Sequence, residues 1–125
     1  MKAGVEHRVP LVPRAMEILE GLPILEGNSF LFPGQRQGRP LSNMAMEMAL
    51  RRMGYDAITV HGFRSTFRDW AAEQTSFPRE IAEMCLAHLV CSEVERACRR
   101  SELLAKRREL LTAWADYCGS AAARR

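Results

Sequence analysis

The sequence predicts a mainly α-helical domain (α+β) with a small antiparallel sheet near its N-terminus. Apolar residues recur at helical spacing in most of the chain, and they alternate only in a short stretch near the start. The 125 residues are 47% hydrophobic and 26% charged, which is typical of one globular domain. We therefore expect a single domain over residues 1–118 and a flexible basic tail over residues 119–125.

The first elements are a strand and a short helix. Hydrophobic residues alternate over residues 5–11, which favours a strand, and residues 30–32 are a candidate for its partner. Residues 13–22 predict a helix with Pro13 in its first turn and Gly21 at its end. Because the strand begins so close to residue 1, we expect the chain to be a fragment of a longer protein.

Two further helices are predicted in the middle of the chain. The first covers residues 42–54, with Ser42 as its N-cap and Gly54 closing it. The second covers residues 59–74 and carries one apolar stripe at positions i, i+4, i+7 and i+8. The stripe consists of Phe63, Phe67, Trp70 and Ala71.

The last third of the chain predicts three more helical segments. Pro78 opens a helix over residues 78–88, and Ser92 with Glu95 forms a capping-box pattern for the next segment. The helix over residues 101–118 is expected to pack on the rest of the domain, since large apolar residues recur at near-heptad spacing. They are Leu103, Leu110, Trp114 and Tyr117.

Charge and cysteine content indicate the partners and the cellular compartment of the protein. The net charge is +3, and basic residues cluster at Arg99, Arg100, Lys106, Arg107 and Arg108. Such a run fits a nucleic-acid partner, and it equally fits a solvated helix face. There is no apolar leader and no apolar run of membrane-spanning length, so we expect free thiols in the reducing cytoplasm and no membrane partner.

Three side chains are candidates for phosphate chemistry. His61 and Arg64 are three positions apart on a predicted helix and share a face. A guanidinium can hold two phosphate oxygens, and an imidazole can transfer a proton near neutral pH. The alternatives are a packed or capping histidine at position 61 and, for His88, a helix C-cap.

A zinc site is the competing interpretation of the same region. Cys85, His88 and Cys91 are spaced C-x-x-H-x-x-C, and Cys98 could complete a tetrahedral set. The paired C-x-x-C motifs of structural zinc sites are absent from the sequence. Cys85 also falls on the apolar stripe of its helix with Ile81, which favours a core position.

The order and spacing of several segments resemble the catalytic domain of the phage integrases, the tyrosine recombinase family, in its prophage branch. The segments are "TVHGFRSTFRDWAAE", "FPREIAEMCLAH" and "VERACRRSELLAKRRELLTAWADYC", preceded by "MKAGVEHRVPLVPRAMEIL", "FPGQRQGRPLS" and "ALRRMGYD". The resemblance covers residues 1 to about 118. It implies a mainly helical recombinase core and, as parent activity, DNA integration by site-specific strand cleavage and rejoining.

The resemblance also implies roles for individual residues. Arg64 would bind the scissile phosphate, His61 would handle protons, and His88 would help to hold the phosphate. Lys2 would protonate the leaving 5′ hydroxyl. Cationic donors of this kind stabilise the charge that gathers on phosphate oxygens during transfer, so no metal or other cofactor is implied. The residues expected to bind DNA are Arg64, Arg99 and Arg100.

The family's nucleophilic tyrosine falls on a cysteine in this chain. Counting ten residues from His88 reaches Cys98, in "ACRR". A thiol ionises more readily than a phenol, with a reference pKa of roughly 8.5 against 10. Its sulfur lies closer to the backbone, however, and a displacement of order 1 Å can cost about a hundredfold in rate. We therefore expect Cys98 to be unreactive, and we do not expect Tyr55 or Tyr117 to replace it.

The resemblance predicts a protein that binds double-stranded DNA and cannot cleave it. The family has a further catalytic arginine upstream of position 1 in this numbering, which adds to that expectation. A non-catalytic DNA-binding module, or one that associates with other recombinase subunits, is the first alternative. The zinc protein is the second.

Overall fold

The computed structural model describes residues 7–88 and 100–122, without the side chains of residues 100–102, 121 and 122. These ranges contain five helices, so the prediction of a mainly helical chain is confirmed. They are α1 (Pro13–Glu20), α2 (Ala45–Arg52), α3 (Gly62–Gln74), α4 (Arg79–Cys85) and α5 (Arg100–Ala122).

The hydrophobic core lies where α3, α4 and α5 pack against one another. Ile81 of α4 and Leu110 of α5 are completely buried. Burying side chains of this size stabilises a fold by roughly 1.5–3 kcal/mol each. The other buried members of the core are Phe67, Trp70, Ala71, Ala82 and Leu103. The relative position of α3 and α4, which carry the site described below, is therefore set by core packing.

An aromatic cluster joins α3 to α5. Phe67 meets Trp114 edge to face with ring centroids 5.5 Å apart, and Trp70 lies 4.9 Å from the same ring. Tyr117 stacks on Trp114 at 5.6 Å, as expected from the packing of the last helix. Phe63 was predicted to share the buried stripe, but 52% of its surface is exposed, because the stripe extends one turn beyond the core.

The predicted antiparallel sheet is not found in the part of the chain from residue 7 to residue 88. One isolated antiparallel bridge joins Pro33 and Pro40 there, and the Leu41 N–H donates to the Phe32 carbonyl at 3.0 Å. Proline has no N–H to donate, so both bridge residues and Pro10 interrupt any ladder at these positions. Residues 5 and 6, where the strand was predicted to begin, lie outside the described ranges.

The ends of α2 differ in how well the sequence predicts them. Ser42 is not the N-cap: Met44 is, and Ser42 uses its backbone carbonyl to accept from the Ala45 N–H at 3.0 Å. Gly54 has φ +81°, the left-handed conformation typical of glycine after a helix, and its N–H donates to the Arg51 carbonyl. The predicted stop is therefore in place, whereas the start is displaced by two residues.

The last helix extends further than its apolar pattern. It reaches Ala122, whereas the apolar pattern predicts an end at Cys118. The helix therefore includes the first residues of the segment 119–125 that was expected to be a flexible tail. Gly119 costs the helix about 1 kcal/mol relative to alanine, whereas Ala121 and Ala122 are of the residue type that favours helix most. The capping-box segment with Ser92 and Glu95 lies outside the described residues. Within the described ranges, no helix is both long and apolar enough to span a bilayer.

Candidate phosphate-binding site

His61 is the N-cap of α3, and Arg64 lies in the first turn of that helix. Thr59 starts the helix by accepting a hydrogen bond from the Gly62 N–H at 3.1 Å, which satisfies one of the donors at the helix N-terminus. His61 precedes the first helical residue and is exposed. Arg64 is half-buried and points away from its own helix toward the end of α4. The two residues therefore occupy one helical turn.

Arg64 connects α3 to the C-terminal end of α4. Its Nη2 donates to the Leu86 carbonyl and lies 3.1 Å from Nε2 of His88. A cation at this position is favourable because the last carbonyls of a helix carry partial negative charge. A guanidinium has five N–H donors, and both contacts use Nη2, so Nη1 and Nε supply three further donors for an anion.

His88 is presented by a tight turn that ends α4. The Ala87 N–H donates to the Met84 carbonyl at 3.2 Å, and the His88 N–H donates to the Glu83 carbonyl at 2.9 Å. These two bonds form a Schellman motif, whose central residue adopts a left-handed conformation. That residue is Ala87, with φ 57°. His88 was expected as a possible helix cap, and it instead lies two residues beyond the C-cap, Leu86.

The imidazole of His88 is also held by a carboxylate. Its Nδ1 is hydrogen-bonded to Oε2 of Glu83, a residue that is only 8% exposed. The other oxygen of Glu83, Oε1, lies 3.6 Å from Nε of Arg79. The hydrogen bond with His88 lowers the pKa of Glu83, with smaller contributions from the nearby positive charges, against the opposing effect of burial.

These contacts identify which nitrogen of His88 carries the proton. An ionised carboxylate can only accept, so Nδ1 donates to Glu83. A guanidinium can only donate, so Nε2 accepts from Arg64. The arrangement therefore fits the tautomer with its proton on Nδ1. Glu83, His88 and Arg64 form a continuous chain of hydrogen bonds from the core to the surface.

A second basic group, Arg107, lies on the buried side of α5 near these hydrogen-bonded residues. Arg107 is only 6% exposed, and its Nη2 donates to the Arg8 carbonyl at 2.5 Å. It also contacts the Cys85 thiol. Its Nε is buried and has no hydrogen-bond partner among the described residues. Arg107 thus ties the N-terminal segment to the helices that carry the site.

His7 is close enough to Arg107 and Arg64 to feel the charge of both. Burial lowers its pKa, the positive charges of Arg107 and Arg64 lower it further, and a hydrogen bond with the Cys85 backbone opposes the shift. Sequence reasoning did not identify His7, Arg107 or Glu83 as parts of the site. The sequence gives no signal for Glu83, because a five-residue separation does not put two side chains on the same face of a helix.

The other candidate residues are placed as follows. Lys2, Cys98 and Arg99 lie outside the described ranges, and Arg100 begins α5 with its side chain outside them. Their roles stay predictions. Tyr117 packs in the aromatic cluster, and Tyr55 is 46% exposed in the loop that follows α2.

The zinc interpretation is only partly covered by the described residues. Cys85 packs against the hydrophobic core, as its position on the apolar stripe predicts, and burial raises the pKa of its thiol. Among the residues that the structure describes, no group of three metal-binding side chains is close enough to hold an ion. Cys91 and Cys98 lie outside those residues, so the four-ligand set itself stays a prediction.

The sequence is similar to phage and prophage integrases over nearly its whole length. It is 36% identical over 124 residues to Prophage integrase IntA of Escherichia coli, a match that covers 97% of this chain and 30% of that protein. Prophage integrase IntZ of the same species is 36% identical over 122 residues, covering 96% of this chain and 30% of IntZ. The Integrase of Enterobacteria phage P4 is 37% identical over 123 residues, covering 94% of this chain and 28% of that protein. The chain thus spans about 30% of the length of these relatives, and no family model and no solved structure matches it.

Proposed function

We propose that this chain is the phosphate-binding part of a phage-type integrase of the tyrosine recombinase family, and that it binds the backbone of double-stranded DNA. The observation that carries the proposal is the contact between Arg64 and His88, 3.1 Å apart although 24 residues separate them in sequence. The sequence predicts both residues as phosphate ligands. The similarity to named integrases over 97% of the chain supports the same conclusion.

The roles of the side chains follow from their chemistry. Nη1 and Nε of Arg64 keep N–H donors outside the contacts with Leu86 and His88, and these donors can bind non-bridging oxygens of the DNA backbone. His61, the exposed N-cap of α3, is three positions before Arg64 and can exchange protons with a bound backbone. His88 holds the guanidinium of Arg64 in place by accepting a hydrogen bond at Nε2. Lys2, Arg99 and Arg100 are proposed as further backbone contacts.

We further propose that the chain does not cleave DNA, because the nucleophile position is held by Cys98. A cysteine side chain would place its sulfur short of a phosphorus atom that the family's phenol oxygen reaches. The protein would then act in the cytoplasm as a DNA-binding remnant or as a partner of other recombinase subunits.

The experiment that tests DNA binding is a titration of a short duplex at several salt concentrations. Each phosphate contact contributes about −0.9 to the slope of log K against log salt. We expect Arg64→Ala to weaken binding about tenfold and to make the slope less negative by about 0.9. The control is Arg51→Ala, which removes an exposed arginine from the end of α2 and should change binding far less. A salt-independent titration, or equal effects of the two variants, would contradict the proposal.

Loss of cleavage is tested separately with a nicked duplex that traps a covalent protein–DNA intermediate. The unaltered chain should give no adduct on a denaturing gel. Cys98→Ala is the matched variant. An adduct that forms with the unaltered chain and disappears in Cys98→Ala would show that the thiol is a working nucleophile.

A further inference from the structure

We propose that Glu83 is a positioning residue for the phosphate site: it orients His88, and His88 in turn orients the guanidinium of Arg64 toward an incoming phosphate. The inference rests on the proposed function only for the identity of the ligand. It assigns to His88 a contact with Arg64 in the DNA-free protein, in addition to any contact with DNA.

Glu83 is attached to His88 at two points. Its backbone carbonyl accepts the His88 N–H at 2.9 Å, and its carboxylate accepts from Nδ1 of the ring. The first contact fixes the backbone of His88, and the second fixes the ring and its tautomer. One residue of α4 therefore determines both where the imidazole is and which way Nε2 points.

The orientation of His88 restricts Arg64 in turn. Nη2 of Arg64 meets two acceptors, Nε2 of His88 and the Leu86 carbonyl. Two acceptors on the same nitrogen fix the plane of the guanidinium, so Nη1 and Nε are left as the donors directed elsewhere. A side chain that is already held in its binding geometry loses less conformational entropy when the ligand arrives.

The burial of Glu83 makes its carboxylate dependent on protein partners, since few water molecules can reach it. It is 8% exposed, and Oε1 has no hydrogen bond among the described residues, although Arg79 lies 3.6 Å away. A buried carboxylate is costly unless it is paired and hydrogen-bonded. The hydrogen bond to His88 is the strongest interaction that offsets this cost, and it lowers the pKa of the carboxylate.

Simple electrostatics and the positioning role predict opposite results for one substitution. Glu83→Gln removes a negative charge next to a DNA-binding site, so long-range electrostatics alone predicts tighter binding of DNA. The glutamine amide can either accept from or donate to Nδ1, so it no longer selects one tautomer. If Glu83 acts through His88, the affinity for duplex DNA should instead fall, by about fivefold, the order expected for the loss of one hydrogen bond of ordinary strength.

The matched control is Glu80→Gln, which makes the same charge change on α4 at a half-buried residue outside the hydrogen-bonded chain. It should leave the affinity unchanged or slightly higher. In a His88→Ala background, Glu83→Gln should no longer weaken binding, because its effect passes through the imidazole. Tighter binding in Glu83→Gln, or an equal weakening in both backgrounds, would overturn the proposal.

A spectroscopic measurement separates this inference from the proposed function. Nitrogen-15 shifts of the His88 ring in the full chain should show the Nδ1–H tautomer, and Glu83→Gln should introduce the other tautomer while Glu80→Gln does not. This signature requires no DNA. If the chain bound no duplex but the tautomer changed as expected, the DNA proposal would fail and the orientation of His88 by Glu83 would stand. An unchanged His88 spectrum in Glu83→Gln would refute the inference.

Discussion

Replacing Ala87 with glycine should stabilise the protein, although it deletes a methyl group. Ala87 adopts φ 57°, a left-handed conformation that costs a residue with a Cβ about 1–2 kcal/mol. Glycine relieves this cost but adds about 0.4–1 kcal/mol of conformational entropy to the unfolded state. The balance is a gain in unfolding free energy of about 0.5–1 kcal/mol. For a domain of this size, the midpoint of thermal unfolding should rise by about 2–4 °C.

The assay is urea unfolding followed by the fluorescence of the two tryptophans in the aromatic cluster. The control is Ala72→Gly, the same chemical change at an exposed position within α3, which should destabilise by about 1 kcal/mol. The two substitutions must therefore act with opposite signs. If Ala87→Gly also destabilised the protein, residue 87 would not adopt the left-handed turn, and the backbone argument for the position of His88 would be wrong.

Two further predictions concern acid stability and the N-terminal segment. The pKa of His7 is lowered below its ordinary 6.5 and that of Glu83 below 4.5, so in both cases the unfolded chain binds protons more readily. The unfolding free energy measured in urea should fall as the pH drops below about 6.5 and again below about 4.5. His7→Gln should remove only the first fall. An unfolding free energy that rises on acidification would contradict both pKa shifts. Arg107→Met should accelerate tryptic cleavage after Arg8, because the segment loses its hydrogen bond to α5, whereas Arg108→Met, an exposed change on the same helix, should not. Equal cleavage rates in the two variants would show that Arg107 does not hold the segment.

Helical periodicity was sufficient to predict the elements that form the core. The stripe on α3 correctly identified Phe67 and Trp70 as buried, and the spacing on α5 identified Leu110. It failed for Phe63, because periodicity defines a face of a helix but not how far along the helix the neighbouring elements extend. The N-cap of α2 failed for a similar reason: Ser42 is suited to a cap, but its backbone carbonyl satisfies the first N–H of the helix instead.

The site was predictable only in part, because sequence motifs identify residues but not the backbone turn that brings them together. The sequence motifs selected Arg64 and His88, and the structure places them in contact. Glu83 could not be found in this way, since its contact with His88 depends on a left-handed turn at an alanine, a residue with no preference for that conformation. A local departure from backbone preferences thus determines the geometry of the residues that the motifs identify.

The position of the site relative to the core has a consequence for how it tolerates mutation. Arg64 lies one turn before Phe67 on α3, and Glu83 lies two residues after Ile81 on α4, so the two ends of the hydrogen-bonded chain are carried by helices packed through those core residues. A change that shifted α3 along α4 by 1 Å would break the 3.1 Å contact between Arg64 and His88 while leaving both residues intact. Core packing between these helices is therefore as necessary for the geometry of the proposed phosphate site as the basic residues themselves.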